Sequence, residues 1–235
     1  MGKTTDGDRI RVERRHVVDE YNKTLHTPEQ EREEQLIIAD FRQLGYDIDN
    51  IHILTQEIVD DVNIAKLALD WLPKIRETGN RFYMIHVLAS STKVAQFKEE
   101  ALAIAFEQYR NTNPLDHIIR THAANIILKL ADDSIYREIL ALAKNDTQQD
   151  LDEDGLFGMS ERPLIVRALG KMSQRSEVVD ELVRLLDDKR GGVCNEAIRA
   201  LGDLRNSKAL PYLTPLLHSD DSYVRNYAKT AIAKI

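Results

Sequence analysis

"VRALG" at residues 166–170 returns as "IRALG" at residues 198–202. The two copies lie 32 positions apart, and the echo extends well beyond five residues. At an offset of 31, Val193, Ala197, Ala200 and Leu201 fall on Val224, Ala228, Ala231 and Ile232. Ile198 breaks the match by falling on Lys229. Val178, Val179, Leu182, Leu185 and Leu186 likewise fall on Ala209, Leu210, Leu213, Leu216 and Leu217. Apolar residues three and four apart mark amphipathic helices. The unit is therefore a pair of short helices, written once as "SEVVDELVRLLDD" (176–188) and "CNEAIRALGDL" (194–204). A lone pair cannot hide its apolar face, so such pairs must stack. Ala and Gly recur because they let neighbouring helices approach closely at the same place in each unit.

The pattern continues upstream with drift. "THAANIILKLADDSIYREILALAKND" (121–146) repeats both helices at an offset of 74. "RFYMIHVLASS" (81–91) aligns with "RPLIVRALGKM" (162–172). "IAKLALDWLP" (64–73), one longer helix over "KVAQFKEEALAIAFEQYR" (93–110) and "EREEQLIIADFRQLGY" (31–46) supply earlier members. Thr27-Pro28-Glu29-Gln30 reads as a capping box with proline at the first helical position. Asn113-Pro114, Ser134, Ser176 and Ser207 stand at helix starts, and Gly45 follows a periodic segment as a C-cap. These readings predict an all-α, right-handed α–α superhelix of about five to six helix pairs. It spans 28–235 and carries an acidic insertion at 147–161. Residues 1–27 form a tail or an extra helix.

The stretch 193–235 resembles HEAT repeats, especially the short HEAT-like units also found in phycobilisome lyases. Asp220, Asp221, Val224, Arg225, Ala228, Ala231 and Ile232 carry the likeness. The resemblance implies an armadillo-like α-solenoid whose second helices line a concave, partner-binding face. It also implies that the Asp before the second helix pairs with the Arg of the next repeat.

Composition narrows the function. The chain of 235 residues is 43% hydrophobic, 30% charged and only 6% aromatic, with a formal net charge of −7. That balance disfavours a general nucleic-acid binder. No window offers the ~18 consecutive apolar residues of a membrane span, and the N-terminal residues lack a secretory pattern. The single Cys194 forbids an internal disulfide and fits a reducing, cytoplasmic setting. With no base near it in sequence, it reads as a packing residue. No nucleophile elbow, P-loop or His-Glu dipeptide is present, and no cofactor is expected. Trp71 falls on the hydrophobic phase of its helix and reads as core.

Two constellations remain. "DLDEDGLFGMSE" (150–161) satisfies the D-x-D-x-D-G-x5-E calcium-loop pattern. Asp150, Asp152 and Asp154 would offer carboxylates, Leu156 a backbone carbonyl and Glu161 a bidentate carboxylate. An accidental match on a solvated acidic insertion is the competing reading, since no second loop pairs with it. The other constellation comes from aligning the repeats. His86, Asn125, Arg167, Arg199 and Thr230 fall in one outward-facing column, and Ser90, Lys129, Lys171, Asp203 and Lys234 lie one turn on. Tyr83, His122, Leu164, Glu196 and Tyr227 lie one turn before. The column predicts a locally positive, aromatic-edged lip on an acidic protein, read as a groove for an acidic peptide or a phosphate backbone, since stacked like charges are costly without a partner, with a solvated helix face as the competing reading. The leading function is a non-enzymatic scaffold that recognises a protein partner. A HEAT-like DNA glycosylase or nucleic-acid binder is the first alternative, and a chromophore lyase or chaperone the second. The oligomeric state stays open at this level.

Overall fold

The computed structural model describes residues 27–56, 61–111, 116–144, 161–173, 175–188 and 192–235. The described residues form α-helices, 3-10 turns and connections, with no strand among them. The helices are α1 (Pro28–Gln43), α2 (Ile53–Gln56), α3 (Val62–Trp71), α4 (Thr78–Ser90), α5 (Lys98–Arg110), α6 (His117–Leu130), α7 (Tyr136–Lys144), α8 (Arg162–Leu169), α9 (Ser176–Arg184), α10 (Val193–Leu204), α11 (Leu210–Leu213) and α12 (Ser222–Ile232). The fold is the all-α repeat architecture that the 31-residue register predicts. No described helix is long and apolar enough to cross a membrane. The chain divides into two compact units, residues 1–126 and 127–235, and the division falls inside α6.

In the first unit, α3 pairs with α4, and α1 packs on both. The start of α1 follows from its sequence. Thr27 is the N-cap, and its Oγ1 accepts from the Gln30 N–H at 3.0 Å, with Pro28 just inside the helix. The other end follows from Gly45, whose φ of +90° is the left-handed conformation that lacks a Cβ penalty. The Gly45 N–H donates to the Arg42 carbonyl, and the Tyr46 N–H donates to the Phe41 carbonyl. This is the Schellman pattern, completed by an edge-on Phe41–Tyr46 ring contact. Ile37, Ile38 and Phe41 of α1, Ile64 and Ala65 of α3, and Met84 and Leu88 of α4 are all buried in the core. Glu33 joins α1 to the entrance of α4. Its carboxylate accepts from the N–H groups of Arg76 and Glu77 at 2.7 and 3.3 Å, and from buried Asn80 at 2.9 Å. A negative charge there also meets the positive end of the α4 dipole.

In the second unit, α7 pairs with α8 and α9 with α10. α11 and the following 3-10 turn (Pro215–His218) together pair with α12. One layer stacks α8, α10 and α12, and α7 and α9 pack together in the other. The recurring "RALG" lies at the joints of the first layer. A Cβ added at Gly170 would stand 2.8 Å from Ala200 Cα, and one at Gly202 would stand 2.6 Å from Ala231 Cα. Each glycine thus receives the alanine of the next unit, and Ala200 and Ala231 are themselves 31 residues apart. Ile198 is fully buried in α10, whereas its register partner in α12, Lys229, stands in solvent.

Local details depart from the sequence reading in three places. The helix expected over 93–110 is split: Lys93–Phe97 is 3-10, and Phe97 leaves helical space at φ −121°, ψ 39° before α5 begins. The caps expected at Ser134 and Ser207 belong to Asp132 and Asn206, whose side chains accept from the N–H two residues on. A short Asx side chain reaches that N–H directly, which leaves the serine inside the turn. Ser176 likewise sits inside α9, and its N-cap position is held by Arg175.

Candidate functional site

The α8–α10–α12 layer carries the predicted column in the second unit. Arg167 on α8 is exposed, and its Nε lies 3.8 Å from Glu196 Oε2 on α10. Arg199, one turn on from Glu196, donates to the other oxygen of the same carboxylate at 3.1 Å. The Arg199 guanidinium also lies over the Tyr227 ring of α12, 5.6 Å from its centroid. The result is a ladder: Arg167, Glu196, Arg199, Tyr227. A second rung joins Lys234 to Asp203 at 2.6 Å.

Lys171 turns away from the expected lip. Its Nζ donates to the Leu128 carbonyl at 2.6 Å and to that of Lys129 at 3.4 Å. Those carbonyls are at the C-terminal end of α6, where helical acceptors lack intrahelical donors. Burial, with the neighbouring Arg167 charge, pushes the Lys171 pKa down. Lys129 itself is exposed. The aligned cations are thus not partnerless. Glu196 and Asp203 lie among them, and one lysine serves as a helix cap. Three cations of the column (Arg167, Arg199, Lys234) still face two carboxylates (Glu196, Asp203) on this layer.

The first unit's share of the column is built differently. Tyr83, expected to face outward, is only 6% exposed, and its hydroxyl hydrogen-bonds His52 Nδ1 at 2.7 Å. Burial, helped by the Glu34 charge, raises its pKa. A tyrosine whose hydroxyl finds a partner is readily buried, and the repeat alignment holds no signal of His52. His86 and His122 meet across α4 and α6, with Nδ1 and Nε2 3.4 Å apart and the rings edge to face at 4.8 Å. Phe82 closes the group, 5.6 Å from His122. Burial lowers both histidine pKa values, and the like charge of His86 helps bring His122 down to about 4. Both rings are neutral at pH 7. Asn125 donates to the Thr121 carbonyl of its own helix at 3.1 Å.

Other sequence-level candidates resolve as follows. Asp150, Asp152, Asp154 and Leu156 of the calcium pattern lie outside the described residues. Glu161 is buried at 7% exposure at the N-cap of α8. The calcium reading rests on sequence, and calorimetric titration tests it: no heat at about millimolar Ca²⁺ ends it. Burial, then Asp187, Asp188 and Asp221, pushes the Cys194 thiol pKa up, which suits packing and not nucleophilic attack. Trp71 is half-buried, with its indole N–H donated to Asp40 at 3.0 Å. Arg225 donates to the Ser219 and Asp220 carbonyls at 2.6 and 2.9 Å. Asp221 caps α12 through the Tyr223 N–H. The Asp–Arg pattern thus shapes one turn.

The family model for HEAT repeats matches residues 161–233. Residues 161–233 are similar to HEAT repeats. Both glycine joints and the residues Arg167, Glu196, Arg199 and Tyr227 lie inside the matched stretch, and Lys234 lies one residue beyond it. Among solved structures, a designed armadillo repeat protein in complex with the peptide (KR)4 is similar over 92% of this chain and 98% of that one. The TM-score is 0.54 and the identity 15%, a likeness of fold. No curated protein matches the chain.

Proposed function

We propose that the protein is a non-enzymatic binding scaffold whose HEAT repeats recognise an acidic segment of a protein partner on the α8–α10–α12 layer. The observation that carries this reading is the ladder. Arg167 and Arg199 converge on one carboxylate, so two guanidinium charges answer a single negative charge. Arg167 keeps 44% of its side chain in solvent and Arg199 keeps 36%, so both present N–H donors to an incoming carboxylate. Tyr227 offers a flat apolar edge beside them. On a chain of net charge −7, a locally positive face is selective for acidic ligands.

The designed armadillo protein supports peptide binding as a use of this fold. The peptide in its complex is basic; the ladder here is itself positive, so the ligand it fits is acidic. A partner in extended conformation would lay its carboxylates over Arg167 and Arg199 and its apolar side chains against Tyr227.

The test is binding of a glutamate-rich octapeptide to the full chain. Reversing Arg167 and Arg199 to Glu weakens it by at least about tenfold, the scale of one or two charge-assisted contacts. Unchanged binding in the double variant removes the ladder from the function. Preferential binding of duplex DNA, falling steeply with salt, replaces this reading with the nucleic-acid one.

A further inference from the structure

The other layer of the second unit is uneven. α7 packs on α9, but the helix that should follow is cut short. α11 ends at Leu213, and Pro215 opens a separate 3-10 turn. Pro215 has no N–H to bond the carbonyl four residues back, so the α-helix cannot continue. Between α9 and α11 a groove of about 740 Å³ is left open. Its size is that of a ligand site.

The lining is chemically specific. α9 contributes Ser176, Val179, Asp180 and Val183, which form one i, i+3, i+4, i+7 stripe. Pro211 and Tyr212 form the facing wall, with Asn206 and Lys208 at its edge. Tyr212 is 52% exposed. Tyr136 and Tyr227 each lie under a guanidinium, at 4.1 and 5.6 Å, and Tyr83 meets the His52 ring at a tilt, 4.4 Å between centroids. Tyr212 has no such ring or guanidinium partner among the described residues. The polar rim consists mostly of donors: the hydroxyls of Ser176 and Tyr212, the Lys208 ammonium and the Asn206 amide. The Asn206 Oδ1 is already occupied by the Lys208 N–H at 3.0 Å. Asp180 is the one carboxylate in the lining.

We propose that this groove binds a proline-rich segment of a partner protein, with a proline ring on Tyr212 and a basic side chain on Asp180. Proline segments offer carbonyls and no N–H groups, which suits a rim rich in donors. A helical ligand would keep its carbonyls in its own hydrogen bonds and leave those donors unanswered. A polyproline II segment rises about 3.1 Å per residue, so three or four prolines match the ~10 Å length of the α9 stripe. Val179 and Val183 form the apolar floor between the two anchoring contacts. The groove lies on the layer opposite the ladder and does not depend on it.

The experiment titrates the full chain with acetylated PPPPR amide by calorimetry. Saturable binding with a Kd of about 0.1 mM is expected, weakened at least about tenfold by Tyr212→Ala, as for an aromatic anchor. Asp180→Lys gives a comparable loss, and both positions are exposed, so both variants fold. The Arg167→Glu, Arg199→Glu double variant binds this peptide as the parent does, which separates a failure here from a failure of the ladder. No saturation at about 5 mM, or undiminished binding by both variants, overturns the proposal. So does a groove filled by a second copy of the chain, seen as a mass that doubles with concentration.

Discussion

The α4–α6 contact of the first unit and the α8–α10–α12 joints of the second solve one problem in opposite ways. In the second unit the side chain at the contact is removed. Gly170 and Gly202 admit Ala200 and Ala231 against the neighbouring backbone. In the first unit the contact is filled by bulk and polarity, with His86, His122 and Phe82 between the helices. The glycine joint has no titrating group and one geometry. The histidine joint tolerates a wider gap but depends on two rings staying uncharged. Helix pairs can therefore stack through a regular register or through a particular side-chain cluster, and only the first leaves a repeat in the sequence.

Acid should break this comparison most strongly. The His122 pKa lies at about 4 in the folded chain, below its ordinary 6.5. A depressed histidine binds fewer protons when folded than when unfolded. Its stabilising contribution is complete above pH 6.5 and is lost as the pH falls from 6.5 to 4. The loss is up to about 3 kcal/mol by linkage, and His86 adds to it in the same direction. Urea denaturation at pH 7 and pH 4.5, parent against His122→Phe, measures it. The variant should lose less stability on acidification, and equal losses would show that the ring does not govern the joint.

The glycine joints come next. Gly202→Ala places a methyl 2.6 Å from Ala231 Cα. The overpacking cost of about 1–3 kcal/mol exceeds the roughly 1 kcal/mol gained in helix propensity. A net loss of about 1 kcal/mol is expected, and less at Gly170, where the contact is 2.8 Å. Chemical denaturation of the two variants at neutral pH checks both sign and order. A stabilised Gly202→Ala variant would show that the α10–α12 joint has slack.

The smallest effect belongs to the Lys234–Asp203 rung. Both side chains are 42% exposed, so Asp203→Asn should change stability by no more than about 0.5 kcal/mol, and high salt should erase the difference. A larger change, persisting in salt, would make that rung part of the joint itself.

Much of the fold was legible because its causes are local or periodic. Thr27 and Gly45 act within their own turns, and the 31-residue register follows from which faces must be buried. The function of the "RALG" glycines followed from size alone. The candidate site was less legible because it depends on how each helix is rotated against the next. Glu196 stood in the aligned column, yet its place between two guanidiniums depends on the α8–α10 packing. His86 and His122 were assigned to neighbouring rows, and only the crossing of α4 and α6 brings them together. Tyr83 was misread because its partner, His52, lies in the segment between α1 and α3, outside any repeat. The α9–α11 groove had a sequence signal in Pro211 and Pro215, but two prolines do not reveal that the gap has an aromatic wall.

Lys229 stands in water where the register elsewhere places a walled-in isoleucine. Any element docking on α12 as α12 docks on α10 would have to strip the hydration from that ammonium group or answer it with a carboxylate of its own.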